Sequence, residues 1–145
     1  MKEKIPLLSI TYPGDHKLNR IQRREYVRVE TTLDVAVHPL ENEFLPFKAV
    51  TTDISAGGAA LLIPKSTILN QGQEVVVWFS LPFHDEEIDY IKVRGKILRF
   101  IQVENERFYK VPLQFFNIDE LTRQKLIRFC FQQQIIMRRK GLMAE

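Results

Sequence analysis

Apolar and polar residues alternate loosely along most of the first 118 positions, which is the pattern of half-buried β-strands. Between Tyr26 and Val37 the odd positions are mostly apolar and the even positions mostly polar. Proline, glycine and polar turn residues separate the apolar runs. The pattern predicts six strands, at about 26–37, 47–55, 57–64, 75–82, 88–104 and 108–118. Six short strands with turns between them favour a small antiparallel barrel or sandwich.

Two residues inside these strands predict irregularities in the sheet. Gly95 lies within the fifth strand and indicates a bulge or a bend. Pro112 lies within the sixth strand. Because proline cannot donate a ladder hydrogen bond, it predicts an edge position or a bulge.

The apolar positions change to helical spacing near the C-terminus, with apolar residues at 126, 127, 130 and 131. This spacing predicts one helix of about twenty residues, at about 118–140. Asn117 is the candidate N-cap, with Glu120 three residues later as in a capping box. The basic residues 138–140 fall in the last predicted turn, where they match the helix dipole.

The composition is that of one soluble globular domain, with 145 residues, 45% apolar and 27% charged. The single cysteine, Cys130, excludes a disulfide framework and a multi-cysteine metal site, and we interpret it as a buried thiol. No apolar run approaches the roughly 20 residues that cross a bilayer. The N-terminus lacks the features of a secretory signal. The sequence therefore predicts a cytoplasmic protein.

Positive charge is concentrated in one short stretch, although the net charge is only +3. The stretch "RIQRREYVRV" carries arginines at 20, 23, 24 and 28. In an extended chain Arg24 and Arg28 lie on one side, about 13 Å apart, and could grip two phosphates. Arginine pairs bidentately with phosphate and with the O6/N7 edge of guanine, and it stacks on flat rings. The stretch therefore indicates a specific site for a flat anionic ligand.

A second stretch, "TTDISAGGAALLI", combines polar and glycine residues at the end of a predicted strand. Asp53 and Ser55 point the same way, and such side chains shape turns through nearby backbone amides. Gly57 and Gly58 permit positive φ and close approach of a ligand to the backbone. A carboxylate beside arginines can accept from the N1/N2 edge of a guanine. Asp53 is thus the candidate acceptor.

Together the two stretches resemble the PilZ domain, the bacterial receptor for cyclic di-GMP. "RREYVR" supplies an RxxxR motif through Arg24 and Arg28, and "DISAGG" supplies a [D/N]xSxxG motif. The resemblance covers about residues 20–140 and implies a mainly β fold, a six-stranded antiparallel barrel at about 25–116 closed by the C-terminal helix. It implies cyclic di-GMP as the ligand and no cofactor. The implied ligand-binding residues are Arg23, Arg24, Arg28, Asp53, Ser55 and Gly58, with Arg20, Gln22 and Gly57 as further candidates.

The likeness is closest to the flagellar-brake branch of PilZ proteins, in which a similar phrase follows an N-terminal barrel domain. This sequence is expected to depart from that pattern in lacking the N-terminal domain. Residues 1–19 look like its last strand and a linker, and residues 141–145 form a tail. In PilZ proteins an arginine in the place of Arg23 goes with capture of an intercalated cyclic di-GMP dimer. The resemblance also implies a flagellar motor stator or switch protein as partner, engaged when the ligand orders the arginine-rich linker.

Two other classes of function compete with this reading. A small barrel with basic residues and exposed aromatics could bind single-stranded nucleic acid, although the basic residues concentrate at one place and DNA binding is not expected. Alternatively, the arginines could meet the acids of a protein partner in an interaction module that binds no nucleotide. The three histidines, at 16, 38 and 84, have no metal-ligand spacing and compose no catalytic set with Cys130. We therefore expect neither an enzyme nor a metal site.

Overall fold

In the computed structural model the described residues, 26–83, 87–104 and 107–144, form eight strands and one helix. The predicted N-terminal strand and linker at 1–19 lie outside the described residues. The strands are β1 (Val29–Glu30), β2 (Asp34–Pro39), β3 (Phe47–Ile54), β4 (Gly58–Pro64), β5 (Glu74–Pro82), β6 (Ile88–Ile97), β7 (Ile101–Gln102) and β8 (Phe108–Phe116), and they are followed by α1 (Glu120–Ala144).

Six of the strands close into an antiparallel barrel. The neighbours run in the order β3, β2, β5, β6, β8 and β4, and the pairing of β3 with β4 completes the ring. The two-residue strands β1 and β7 attach to β3 and β8 respectively. The mainly β fold, the six-stranded antiparallel barrel and the C-terminal helix are therefore confirmed. Closure leaves no free edge among the six long strands.

The core follows from the alternation along the strands. In β5 the side chains of Val75, Val77, Phe79 and Leu81 are buried, whereas Trp78 between them is 43% exposed. The ring of Phe79 meets the edge of Phe115 from β8, with centroids 5.7 Å apart. Apolar residues from all six long strands form one hydrophobic core. This burial is the main stabilising term of the fold.

Two of the predicted strands are each divided in the structure. The first becomes β1 and β2, because the side chain of Thr51 intervenes between them. Its Oγ1 accepts a hydrogen bond from the Leu33 N–H at 2.9 Å and donates one to the Thr31 carbonyl at 2.6 Å. The fifth predicted strand becomes β6 and β7, with residues 98–100 between them in no strand.

Pro112 accounts for the second division. Of the two alternatives predicted for it, an edge position or a bulge, the edge position is wrong, whereas the register does shift beside it, with three residues (98–100) opposite two (111 and 112). β8 lies between β4 and β6, and Pro112 pairs with Ala60 of β4. The Pro112 carbonyl accepts from the Leu98 N–H at 3.0 Å, so it points toward the gap between β6 and β7. A residue's nitrogen and carbonyl point to the same side of a strand. The missing N–H therefore faces the gap, where no ladder bond is lost.

Of the bulge or bend predicted at Gly95, the bulge is absent. It pairs in continuous register with Val75 on one side and Phe115 on the other. The register shift occurs instead in β3, between Thr51 and Asp53. A shift of this kind bends the strand and re-aims the side chains beside it.

The helix is longer than predicted and is capped by a different residue. It runs from Glu120 to Ala144 without stopping at Gly141, since a single glycine weakens a helix by only about 1 kcal/mol. The Asp119 carboxylate accepts from the Thr122 N–H at 2.7 Å, which makes Asp119 the N-cap. This bond lowers the pKa of Asp119. Asn117, the predicted cap, has a φ of 52° and turns the chain from β8 toward the helix.

The helix packs its buried residues against the barrel. Leu126, Phe129 and Cys130 are buried, and the rings of Phe129 and Phe83 pack in a T-shaped arrangement with their centroids 5.8 Å apart. The Cys130 thiol donates to the Ile54 carbonyl at 3.5 Å, which confirms the predicted buried thiol. Within the described residues, no helix has both the length and the apolar character that crossing a membrane requires.

Candidate functional site

A cleft of about 490 Å³ brings the described residues of both sequence motifs together. Arg28, Asp53, Ser55, Gly57 and Gly58 all line it. These residues come from the segment before β1, from the end of β3 and from the turn into β4. The two motifs meet because β1 pairs with β3, placing Val29 opposite Ile54 and Glu30 opposite Asp53.

The Asp53 carboxylate lies between two cations. Its Oδ1 is 4.0 Å from Arg28 Nε, and its Oδ2 is 3.9 Å from Lys110 Nζ of β8. Asp53 is 8% exposed and follows the register shift in β3. Both separations exceed hydrogen-bond length, so they are ion pairs without a direct hydrogen bond. Nearby positive charge compensates a carboxylate that would be costly to bury alone.

Ser55 holds the turn between β3 and β4. Its N–H donates to the Gly58 carbonyl at 2.8 Å, and its Oγ accepts from the Gly57 N–H at 3.1 Å. The same hydroxyl lies 3.4 Å from the Gly58 carbonyl, at the long limit of a hydrogen bond. Ser55 is buried. The predicted turn-forming role of this serine is therefore present in the structure.

The two glycines serve a purpose other than positive φ. Among the described residues, positive φ occurs at Gly72 and Asn117, and neither Gly57 nor Gly58 adopts it. A Cβ on Gly58 would lie 2.3 Å from the Leu113 carbonyl, a distance that real Cβ atoms do not reach. Gly58 is thus required because β4 and β8 approach closely here. A Cβ on Gly57 would lie 3.3 Å from the ring of Tyr26, which is tight but less severe.

Small residues form the middle of the cleft. Gly57, Gly58, Ala59 and Ala60 line it in succession, between Asp53 on β3 and Lys110 on β8. Because neither glycine nor alanine has a long side chain, nothing from this segment fills the space above β4. A flat ligand could therefore rest on this segment while the charged side chains on both sides hold its polar groups.

The sequence motifs do not include two cations that line the cleft, Arg99 and Lys110. Lys110 is on β8, and Arg99 is in the connection between β6 and β7. The described lining residues include three cations, Arg28, Arg99 and Lys110, against one acid, Asp53. Two net positive charges remain. Lys110 stands at an alternating position of the sixth predicted strand, but only barrel closure shows that it faces Asp53.

The remaining predicted site residues, Arg20, Gln22, Arg23 and Arg24, lie outside the described residues. The described chain begins at Tyr26, which itself lines the cleft. Arg24 is therefore two positions in sequence from a residue of the cleft.

Comparisons with known proteins bear on the family of this chain. The family model described as the PilZ domain matches residues 22–132. Among curated proteins, the chain is 28% identical over 143 residues to the uncharacterized protein YpfA of Bacillus subtilis (strain 168). The match covers 99% of this chain and 64% of that protein. The chain therefore spans less than two thirds of that relative.

Solved structures have the same fold. The Bacillus subtilis inhibitor of motility, MotI/DgrA, matches with a TM-score of 0.70 and 26% identity, over 79% of this chain and 52% of that chain. The PilZ domain of YcgR from Escherichia coli, solved with c-di-GMP, matches with a TM-score of 0.63 over 83% of this chain and 98% of that one. Its identity is 15%, so this likeness supports the fold alone.

Proposed function

The chain belongs to the PilZ domain family, and we propose on that basis that it is a receptor for cyclic di-GMP. The observation that carries the proposal is the cleft, which joins the described residues of both motifs. Its two net positive charges match the two phosphates of a cyclic dinucleotide. Complementary charge attracts such a ligand into the cleft and favours it over neutral molecules. A receptor of this kind has no catalytic role.

Each motif residue has a proposed role in binding. Arg24 and Arg28 hold phosphates and the O6/N7 edge of a guanine. Asp53 accepts hydrogen bonds from a guanine N1/N2 edge, for which its position beside Arg28 is suitable. Ser55 holds the turn or meets a phosphate or a base, and Gly58 acts through the backbone geometry beneath the ligand. Arg20, Gln22 and Gly57 are further candidates for contact.

Two cyclic di-GMP molecules are proposed to bind per chain, as an intercalated dimer. Arg23 directly precedes the RxxxR motif. Its guanidinium would stack on, or bond to, a guanine of the second molecule. This role for Arg23 comes from the resemblance to PilZ proteins.

The proposed output is regulation of motility through the flagellar motor, in the cytoplasm. The similarity to a solved inhibitor of motility supports this direction. Ligand binding would order the arginine-rich linker against the barrel and change the surface offered to a stator or switch protein. A ligand can shift such an equilibrium only through different affinities for the two states. Repulsion among the unliganded arginines would supply that difference.

Thermal unfolding with different nucleotides tests the ligand. A ligand that binds only the folded state, present at a free concentration of about 100 times its Kd, stabilises that state by about 2.7 kcal/mol. We expect cyclic di-GMP to raise the Tm, and cyclic di-AMP and a single-stranded oligonucleotide to leave it unchanged at 0.15 M salt. An equal rise in Tm with cyclic di-AMP would contradict the proposed recognition of guanine by Asp53 and the arginines. A rise with the oligonucleotide alone would favour a nucleic-acid binder.

A further inference from the structure

Two cations of the cleft, Arg99 and Lys110, lie across the sheet from the arginine motif. The strands along the cleft follow the order β1, β3, β4, β8 and β7. Arg28 precedes β1 at one end of this order, whereas Arg99 precedes β7 at the other and Lys110 lies on β8. Adjacent strands are about 4.8 Å apart, so four spacings separate β1 from β7 by roughly 19 Å along the curved sheet.

The side chain of Lys110 crosses the small residues of β4 to reach Asp53. β8 and β3 are both neighbours of β4, and the Lys110 ammonium ends 3.9 Å from the Asp53 carboxylate. This ammonium makes no hydrogen bond to any described side chain or backbone group. It is 40% exposed. Its three N–H donors therefore remain available to a ligand.

Arg99 has fewer contacts within the protein than Lys110 has. It is exposed, lines the cleft, and makes neither a hydrogen bond nor an ion pair within the described part of the chain. Some described surface arginines are engaged, since Arg94 pairs with Glu74 at 3.1 Å and Arg123 with Glu120 at 3.0 Å. Others have no such partner, and these do not line the cleft: Arg107, Arg138 and Arg139. A guanidinium without a protein partner at the rim of a cationic cleft has all five donors free for an anion.

We propose that Arg99 and Lys110 form a second cationic wall, which binds the phosphates of cyclic di-GMP from the side opposite Arg28. The inference rests on the proposed function and extends it to residues of neither motif. Lys110 then has two states: it neutralises Asp53 in the empty cleft, and it contacts a phosphate when the Asp53 carboxylate receives a guanine edge. The ligand is thus held between charges on both sides of β4.

Calorimetric titration with cyclic di-GMP tests the wall through charge-removing variants. Lys110→Met and Arg99→Gln should each weaken binding about ten-fold, the loss expected for a hydrogen bond to a charged group. Lys110→Arg should retain most of the affinity. Binding by Lys110→Met should also depend less on salt concentration, because one fewer screened attraction contributes. A lysine that only supported the local fold would not change this salt dependence.

Matched controls remove the same charges elsewhere. Lys48→Met alters an exposed lysine of β3, and Arg139→Gln alters an exposed arginine of α1; neither residue lines the cleft. Arg99→Gln changes only an exposed side chain, so it keeps the test decisive if Lys110→Met fails to fold. Wild-type affinity in Lys110→Met and Arg99→Gln, with Arg28→Ala weakened, would overturn the wall alone. An absence of binding by the wild-type chain would overturn the proposed function itself.

Discussion

Gly58 is required for the packing of the fold as well as belonging to the second motif. The space that its Cβ would occupy is taken by the backbone carbonyl of Leu113, at 2.3 Å. A backbone atom in a paired strand cannot move aside as a flexible side chain can. Loss of ligand binding on substitution of Gly58 would therefore not separate a ligand's close approach from damage to the pairing of β4 with β8.

Stability measurements on the two neighbouring glycines test this reading. Gly58→Ala should lower the free energy of unfolding by about 1–3 kcal/mol, as overpacking does. Gly57→Ala is the matched control, because its Cβ would meet only the Tyr26 side chain, at 3.3 Å, and it should cost less. Urea denaturation of both variants provides the comparison. Equal stabilities would show that the strands can separate at Gly58 without cost.

Cys130 should be chemically silent in the folded protein. Burial raises the pKa of its thiol from 9.0 to about 12, so the reactive thiolate is scarce at neutral pH. A thiol-specific disulfide reagent at pH 8 should react with the native chain far more slowly than with the urea-unfolded chain. Because the folded-state pKa is raised, the contribution of this group to stability is complete below pH 9 and declines between about pH 9 and 12. Rapid native-state labelling would contradict the burial.

At the scale of elements, the sequence predicted correctly those strands that no residue of a neighbouring strand interrupts. In β5, buried and more exposed side chains alternate from Val75 to Leu81, as the prediction of half-buried strands requires. The two divided strands were not predictable, because the residues responsible, Thr51 and Pro112, belong to other strands. The N-cap was misplaced by two positions because Asn117 and Asp119 both suit a cap by residue type, and only the hydrogen bond to Thr122 decides between them.

The arginine-rich segment before β1 is the element in which a response to ligand is expected. Cyclic di-GMP should increase the amide-exchange protection of residues 18–30 more than that of α1. The reason is that the ligand is proposed to contact arginines of this segment, whereas the buried face of α1 already packs on the core. Hydrogen exchange with mass spectrometry, with and without ligand, measures both regions at once. Equal protection of residues 18–30 in the two samples would place the switch elsewhere.

At the scale of the whole molecule, the barrel creates the site by bringing distant residues together. The two motifs were visible in the sequence, and their described members share one cleft. Lys110 and Arg99 belong to neither motif. Each lines the cleft only because β8, with β7 attached to it, lies beside β4 in the closed sheet. The charge balance of the cleft, and therefore its match to two phosphates, depends on these unmarked residues as much as on Arg28.

We propose that the number of ligands per chain depends on Arg23. Calorimetry should give two equivalents of cyclic di-GMP for the wild-type chain and one for Arg23→Leu, because the second molecule would lose its stacking or hydrogen-bonding partner. A wild-type titration that ends at one equivalent would exclude the intercalated dimer, while leaving single-molecule binding in the cleft intact.

Calorimetric titration with cyclic di-GMP measures directly whether the RxxxR motif binds the ligand, when the full chain is compared with Arg24→Ala and Arg28→Ala. We expect saturable binding by the wild-type chain and at least about ten-fold weaker binding by each variant, since charge-assisted contacts contribute about 1.5–3 kcal/mol each. Arg139→Gln, which removes an arginine far from the motif in sequence, should bind as the wild type does. Wild-type-like binding by both Arg24→Ala and Arg28→Ala would contradict the assignment of the cleft to cyclic di-GMP.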